Sequence, residues 1–136
     1  MEFNEVIASR YSCKKYDTEK VISEQQLEAI LQAGRLAPTA KNNQAQRIYV
    51  AQSPEALAAI DKHTHCRYGA TTVLVVCWDK NGVFLYPGST TRDSGPEDAS
   101  IVATQMMLAA ANAGVDSCWI NYFNPDELAA SLGLPD

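Results

Sequence analysis

The chain has no Cys-x-x-Cys pair, no His-Glu-x-x-His helix and only two histidines, so no complete zinc-ligand set or metalloprotease motif is spelled out in it. A Gly-x-Gly-x-x-Gly turn, a Walker loop and a Gly-x-Ser-x-Gly elbow are missing too, which removes the commonest nucleotide-binding and hydrolase signatures. No apolar run approaches the length of a membrane span. Positive charge is scarce. Eleven Lys and Arg against 16 Asp and Glu leave a net charge of −5, which argues against a nucleic-acid surface. Met1 leads straight into acidic and polar residues, so we expect no signal peptide and a cytoplasmic location. The four cysteines (Cys13, Cys66, Cys77, Cys118) are widely spaced, and Cys77 and Cys118 read as small buried hydrophobes of a reducing compartment. "HTHC" at 63–66 is the one metal-like cluster. It puts three ligands within four residues and no second cluster completes the shell, so we expect no metal there.

What is present is the material of one domain, 136 residues with 46% apolar side chains, enough to bury a core. Residues 2–9 suggest a short helix. In "SEQQLEAILQAGRLAP", Ser23 and Gln26 form a capping box, Leu27, Ile30 and Leu31 share a face, and Pro38 ends the helix. "QRIYVA" (46–51) has strand character, with Ile48 and Val50 on one face. "SPEALAAIDKH" opens on a Ser cap with Pro54 at the first helical position. "TTVLVVCW" (71–78) is a continuous β-branched run, expected to be a strand buried on both faces. Residues 81–96 read as a loop, with a short edge strand at "VFLY". A long helix follows over 96–114, its acids at the start and Gly114 at the end. "SCWINYF" (117–123) reads as a further strand and "NPDELAASLG" as a capped last helix. Helices and strands alternate, so the class is a mixed sheet wrapped by helices.

One stretch stands out against the acidic background. In "ASRYSCKKY" (8–16), Arg10, Ser12 and Lys14 alternate after a short apolar helical face, and a guanidinium, a hydroxyl and an ammonium on one side suit an anion such as a phosphate. Standing alone, the same pattern also describes a solvated basic turn.

Four stretches in register tip the balance. "RYSCKKY" is similar to the Arg-x-Ser-x-Lys/Arg motif of the nitroreductase-like flavoprotein family. "AGRLAPTAKNNQ" resembles that family's helix ending in Ala-Pro-Ser, "YGATTVLVVCWDK" its central strand, and "EDASIVATQMMLAAANAGVDSCWINYF" its core helix with the turn and strand after it. The resemblance implies an α+β, three-layer fold with a central mixed, mostly antiparallel sheet flanked by helices, in a single domain over 1–136. It implies FMN as cofactor, with Arg10 and Ser12 chiefly at the phosphate and ribityl chain, and Tyr11 and Lys14 beside them. It implies a homodimer with flavin sites at the interface, where Pro38, Thr39, Ala40, Asn42 and Gln44 reach the flavin of the partner. A backbone N–H near Asn121 would meet flavin N5, Trp119 would lie by the ring, and His63 or Cys66 would serve the pyrimidine side. The activity implied is electron transfer from NAD(P)H through flavin N5 to a nitroaromatic, quinone or similar small acceptor, with no catalytic side chain. The alternative on the same fold is a flavin-storage or sensory module without turnover.

Two departures from the family pattern bear on these expectations. Ala45-Gln46 stands where the family has Pro-Trp after its Gln. The chain also ends at "LGLPD", where members continue into a strand and a tail that swaps onto the partner and brings a basic residue to the phosphate, so it reads as truncated at that end.

Overall fold

A computed structural model describes residues 1–136. Helix α1 (Phe3–Ser9) is short, and Val6 is its buried residue. Helix α2 (Glu24–Arg35) starts as its capping box requires, with the Ser23 hydroxyl accepting from the Gln26 N–H at 3.1 Å and the Ser23 N–H donating back to Gln26 Oε1 at 3.0 Å. The Gln26 amide also donates to the Ala113 carbonyl at 3.0 Å, fixing the start of α2 near the end of the long helix. A 3-10 turn (Ala40–Asn42) leads into strand β1 (Gln46–Ala51). Helix α3 (Pro54–Asp61), strand β2 (Val73–Trp78), helix α4 (Gly95–Asn112) and helix α5 (Pro125–Leu132) complete the chain. Asn124 caps α5 by accepting from the N–H groups of Asp126 and Glu127.

The strands β1 and β2 pair antiparallel, Gln46 opposite Trp78 and Ala51 opposite Val73. Alternation along the strands divides their side chains between two clusters. Ile48, Leu74 and Val76 pack on Ile30 of α2 and on Val102, Met106 and Ala110 of α4. Val73 and Ala51 turn the other way, to Ile60 of α3 and Leu128 of α5. The result is an α+β arrangement with the sheet between two helical layers. Val102, wholly inaccessible, marks its centre.

Three expectations are corrected. The run β2 is not buried on both faces: its residues are half-buried and Trp78 is exposed, because α3 and α5 cover only the Ala51–Val73 end of a two-stranded sheet. "SCWINYF" is not a strand. It makes a single parallel bridge, Ser12 with Ser117, and then parts from its neighbour. Strand propensity is realised only where a neighbouring chain segment completes the ladder, and residues 118–123 have none. "VFLY" likewise resolves into a narrow hairpin, with one bridge between Leu85 and Asp93.

Candidate functional site

After α1 the backbone becomes extended at Arg10 (φ −63°, ψ 127°). The Cys13 N–H donates to the Ser117 carbonyl at 3.0 Å and the Tyr16 N–H to the Tyr68 carbonyl at 3.1 Å, so the strip 10–16 is held between 117 and 68. Cys13 turns inward and is buried, while Ser12 and Lys14 stay exposed and Arg10 is half-buried. Tyr11 donates its hydroxyl to Asp116 Oδ2 at 2.9 Å, and that acceptor pushes its phenol up to about 12. Burial raises the neighbouring Tyr16 phenol.

The side chains of Arg10, Ser12 and Lys14 make no hydrogen bond or ion pair within the chain. Each of the other four arginines has an acidic partner: Arg35 with Glu28, Arg47 with Asp79, Arg67 with Asp61, Arg92 with Glu97. In a chain with an excess of acid, Arg10 is thus the one arginine without an acidic partner, and it shares its strip with a hydroxyl and an ammonium, donor types that suit a phosphate. The three donors fit the phosphate and ribityl hydroxyls of FMN.

Across the Ser12–Ser117 bridge lies the second strip. Trp119 Nε1 donates to the Asn121 side-chain oxygen at 3.0 Å, fixing both side chains. The backbone N–H of Asn121 has no acceptor in the protein, so it is free for a ligand. Of the His-Thr-His-Cys cluster, His63 turns away: its Nε2 lies 2.6 Å from the Ser131 hydroxyl and its Nδ1 3.8 Å from Glu127, both on α5. Cys66 is buried and its N–H donates to Thr64 Oγ1 at 3.2 Å. His65, weighed above only as a metal ligand, stacks edge-on against Tyr122 at 5.4 Å and so reaches the second strip.

Residues 38–44 form a separate body. Three of the chain's four non-glycine residues at positive φ are here, Lys41, Asn42 and Gln44, a conformation that L-residues adopt at a cost and keep only when their surroundings over-determine it. The anchors are the Thr39 hydroxyl, which accepts from the Gln44 N–H at 2.9 Å, and Asp98 Oδ1, which accepts from the Ala40 N–H at 2.9 Å. Pro38 and Asn42 are exposed. Asp98 was missed at the level of sequence. An acid in the first turn of a helix is an ordinary dipole partner, and nothing in its neighbours says that this one is buried.

The two groups lie at opposite ends of α4. Asp98, which holds the loop, is near its start, whereas the strips meet beyond its end at Asp116 and Ser117. At about 1.5 Å per residue the run from Asp98 to Asn112 is roughly 20 Å, too far for side chains to bridge. The structure therefore puts Arg10, Tyr11, Ser12 and Lys14 on a strip bridged at Ser12–Ser117 to the segment that carries Trp119 and Asn121, and anchors the loop of Pro38, Thr39, Ala40, Asn42 and Gln44 at the other end of α4.

A two-layered helical wrap on a small antiparallel sheet defines an α+β protein. Comparison with known proteins makes the class specific. The Nitroreductase family model matches residues 7–69 and 68–136, and the chain belongs to that family. A nitroreductase family protein of Clostridium difficile 630 is similar at 37% identity and a TM-score of 0.93, over 100% of this chain and 77% of that one. A nitroreductase of Bacteroides fragilis NCTC 9343, solved with bound FMN, shares the fold at 24% identity and a TM-score of 0.77, over 99% and 81% of the two chains. A protein of Archaeoglobus fulgidus with the provisional name NADH dehydrogenase/NAD(P)H nitroreductase is 29% identical over 96% of this chain and 76% of its own.

Proposed function

We propose that this chain is an FMN-dependent oxidoreductase that takes reducing equivalents from NAD(P)H and delivers them to a small acceptor such as a nitroaromatic or quinone. The observation that carries the reading is the unpaired trio Arg10, Ser12 and Lys14, on a strip bridged at Ser12–Ser117 to the segment with the free Asn121 N–H, in a chain of the nitroreductase family. Bound FMN supplies the hydride chemistry, and the chain supplies position and charge. Arg10 and Lys14 would neutralise the phosphate, Ser12 would bond the phosphate or ribityl chain, and the free Asn121 N–H would be the donor for flavin N5. No nucleophile or general acid is required of the protein.

The same reading makes the protein a homodimer. The loop 38–44 cannot reach the strips of its own chain across roughly 20 Å of α4, so a second copy supplies it to each site. A shallow groove of ≈ 760 Å³ between α1 and α4, floored by Phe3, Val6, Ile101 and Leu108, gives that copy an apolar surface to cover. No helix is long and apolar enough to cross a membrane.

The test is the visible spectrum of the purified protein, the identity of the flavin released from it, and its anaerobic reduction by NADH and NADPH. Bound FMN that is bleached by either nucleotide and reoxidised by an acceptor is the expected result. FMN that neither nucleotide reduces would make the protein a flavin-binding module, and a colourless protein that takes up no FMN would end the reading.

A further inference from the structure

We infer that Asp98 is a positioning residue for the flavin site, a buried latch that holds the 38–44 loop in its strained shape through the Ala40 N–H. The inference rests on the flavin reading above and adds to it a residue that touches neither flavin nor substrate.

Asp98 is 2% exposed and Ser94 1%. Both carboxylate oxygens of Asp98 are engaged. Oδ1 accepts from the Ala40 N–H at 2.9 Å, and Oδ2 accepts from the Ser94 hydroxyl at 2.7 Å. Ser94 is engaged in turn: its Oγ accepts from the Phe84 N–H at 3.0 Å and its own N–H donates to the Phe84 carbonyl at 2.9 Å. Phe84 closes the circuit, with the Lys41 ammonium 5.4 Å from the centre of its ring. The loop, the 84–94 hairpin and the first turn of α4 are thus tied through one carboxylate.

The chemistry of this group is unusual for a packing residue. No cation pairs with Asp98, and a buried carboxylate without a counter-charge is costly to keep. Its compensation is the first turn of α4, whose N–H groups favour an anion, together with the two hydrogen bonds. An apolar side chain would fill the space at lower cost but would leave the Ala40 N–H without an acceptor and the loop without its anchor. Because Lys41, Asn42 and Gln44 are at positive φ, a released loop relaxes away from this shape rather than drifting about it.

The test uses the full chain and three variants. In flavin-free Asp98→Ala, amide hydrogen exchange at Ala40 should quicken about tenfold or more, while the amides of Val102, Met106 and Leu128 keep their protection. FMN and riboflavin should both bind on the order of tenfold more weakly to Asp98→Ala, because on the flavin reading the loop reaches the flavin of the partner and Arg10 and Lys14 serve the phosphate. Asp98→Asn keeps an acceptor for the Ala40 N–H and should recover most of both effects. Wild-type exchange at Ala40 in Asp98→Ala, or wild-type affinity for both flavins, overturns the inference. If Asp98→Ala does not fold, Ser94→Ala, which leaves the carboxylate but removes the hydroxyl that aims it, decides. Faster Ala40 exchange supports the latch and unchanged exchange overturns it. Should the wild-type protein bind no flavin, the functional reading fails, and the Ala40 exchange still tells whether the latch exists.

Discussion

The two ends of helix α4 (Gly95–Asn112) are built on opposite plans. At its start, Asp98, Ser94 and Gly95 are buried, every polar atom of the carboxylate is bonded, and three loop residues are held at positive φ. At its far end the strips 10–16 and 116–121 meet through one bridge and one exposed tyrosine–aspartate hydrogen bond, and their donors are left free. The difference teaches what each end is for. The first end holds a shape fixed in advance, and the second, on the proposed reading, keeps its hydrogen-bonding capacity for the flavin. On the proposed reading, a flavin site drawn from both ends is shared between two copies.

The comparison is broken most severely by a methyl group at the closed end. A Cβ at Gly95 would overlap the indole of Trp78, so Gly95→Ala should cost about 1–3 kcal/mol in denaturant unfolding. A chain that kept its midpoint would show that the start of α4 is looser than described. At the open end the expected pattern is reversed. Arg10→Ala should leave stability within about 0.5 kcal/mol but weaken FMN by about 1.5–3 kcal/mol, on the order of ten- to a hundredfold. Riboflavin, without a phosphate, should be nearly indifferent, and Arg10→Lys should recover only part of the loss because an ammonium cannot form the bidentate pair. Parallel titrations with the two flavins decide, and equal losses would take Arg10 away from the phosphate.

Smaller effects sharpen the same contrast. Asp116→Asn should bring the Tyr11 phenol down from about 12 toward its ordinary 10.0, seen in a phenolate absorbance titration. No fall would mean that the clamp between the strips is not made in solution. Arg67 is the paired counterpart of Arg10, its guanidinium donating to Asp61 from Nε at 2.7 Å and from Nη2 at 2.5 Å. That hydrogen bond holds the Asp61 carboxyl below its ordinary 3.8. A depressed acid contributes stability that is present above the unfolded value and lost as pH falls through the folded one, so the pair helps at neutral pH and fades in acid. With Asp61 largely exposed, the contribution is at most about 1 kcal/mol. Asp61→Asn should therefore flatten the acid limb of stability slightly and leave FMN affinity unchanged.

Most elements were legible before the structure, and for physical reasons. Ser23 with Gln26, Ser53 with Pro54 and Asn124 with Pro125 announce helix starts through local chemistry that needs no tertiary partner. The proposed anion strip was picked out because three donors on alternate residues stand out in an acidic chain. What failed was whatever depends on a distant neighbour. "SCWINYF" has the composition of a strand but finds only Ser12 to pair with. The half-exposure of β2 depends on how far α3 and α5 extend over it. Asp98 looks like any first-turn acid until the loop folds back onto it, and His65 rather than His63 meets the second strip because of where α5 packs. The Ala45-Gln46 departure leaves a mark of its own. Ala45 is buried, and the Gln46 side chain donates to the Gly34 carbonyl at 3.3 Å while its own oxygen is buried without a partner.

The central claim is that each flavin site is shared between two copies of the chain. It is tested most directly by measuring FMN affinity as a function of protein concentration, with the mass of the flavin-bound species followed by sedimentation. The account predicts two chains carrying two FMN molecules, and an affinity that falls as dilution separates the copies. A monomer that binds FMN with undiminished affinity would contradict it.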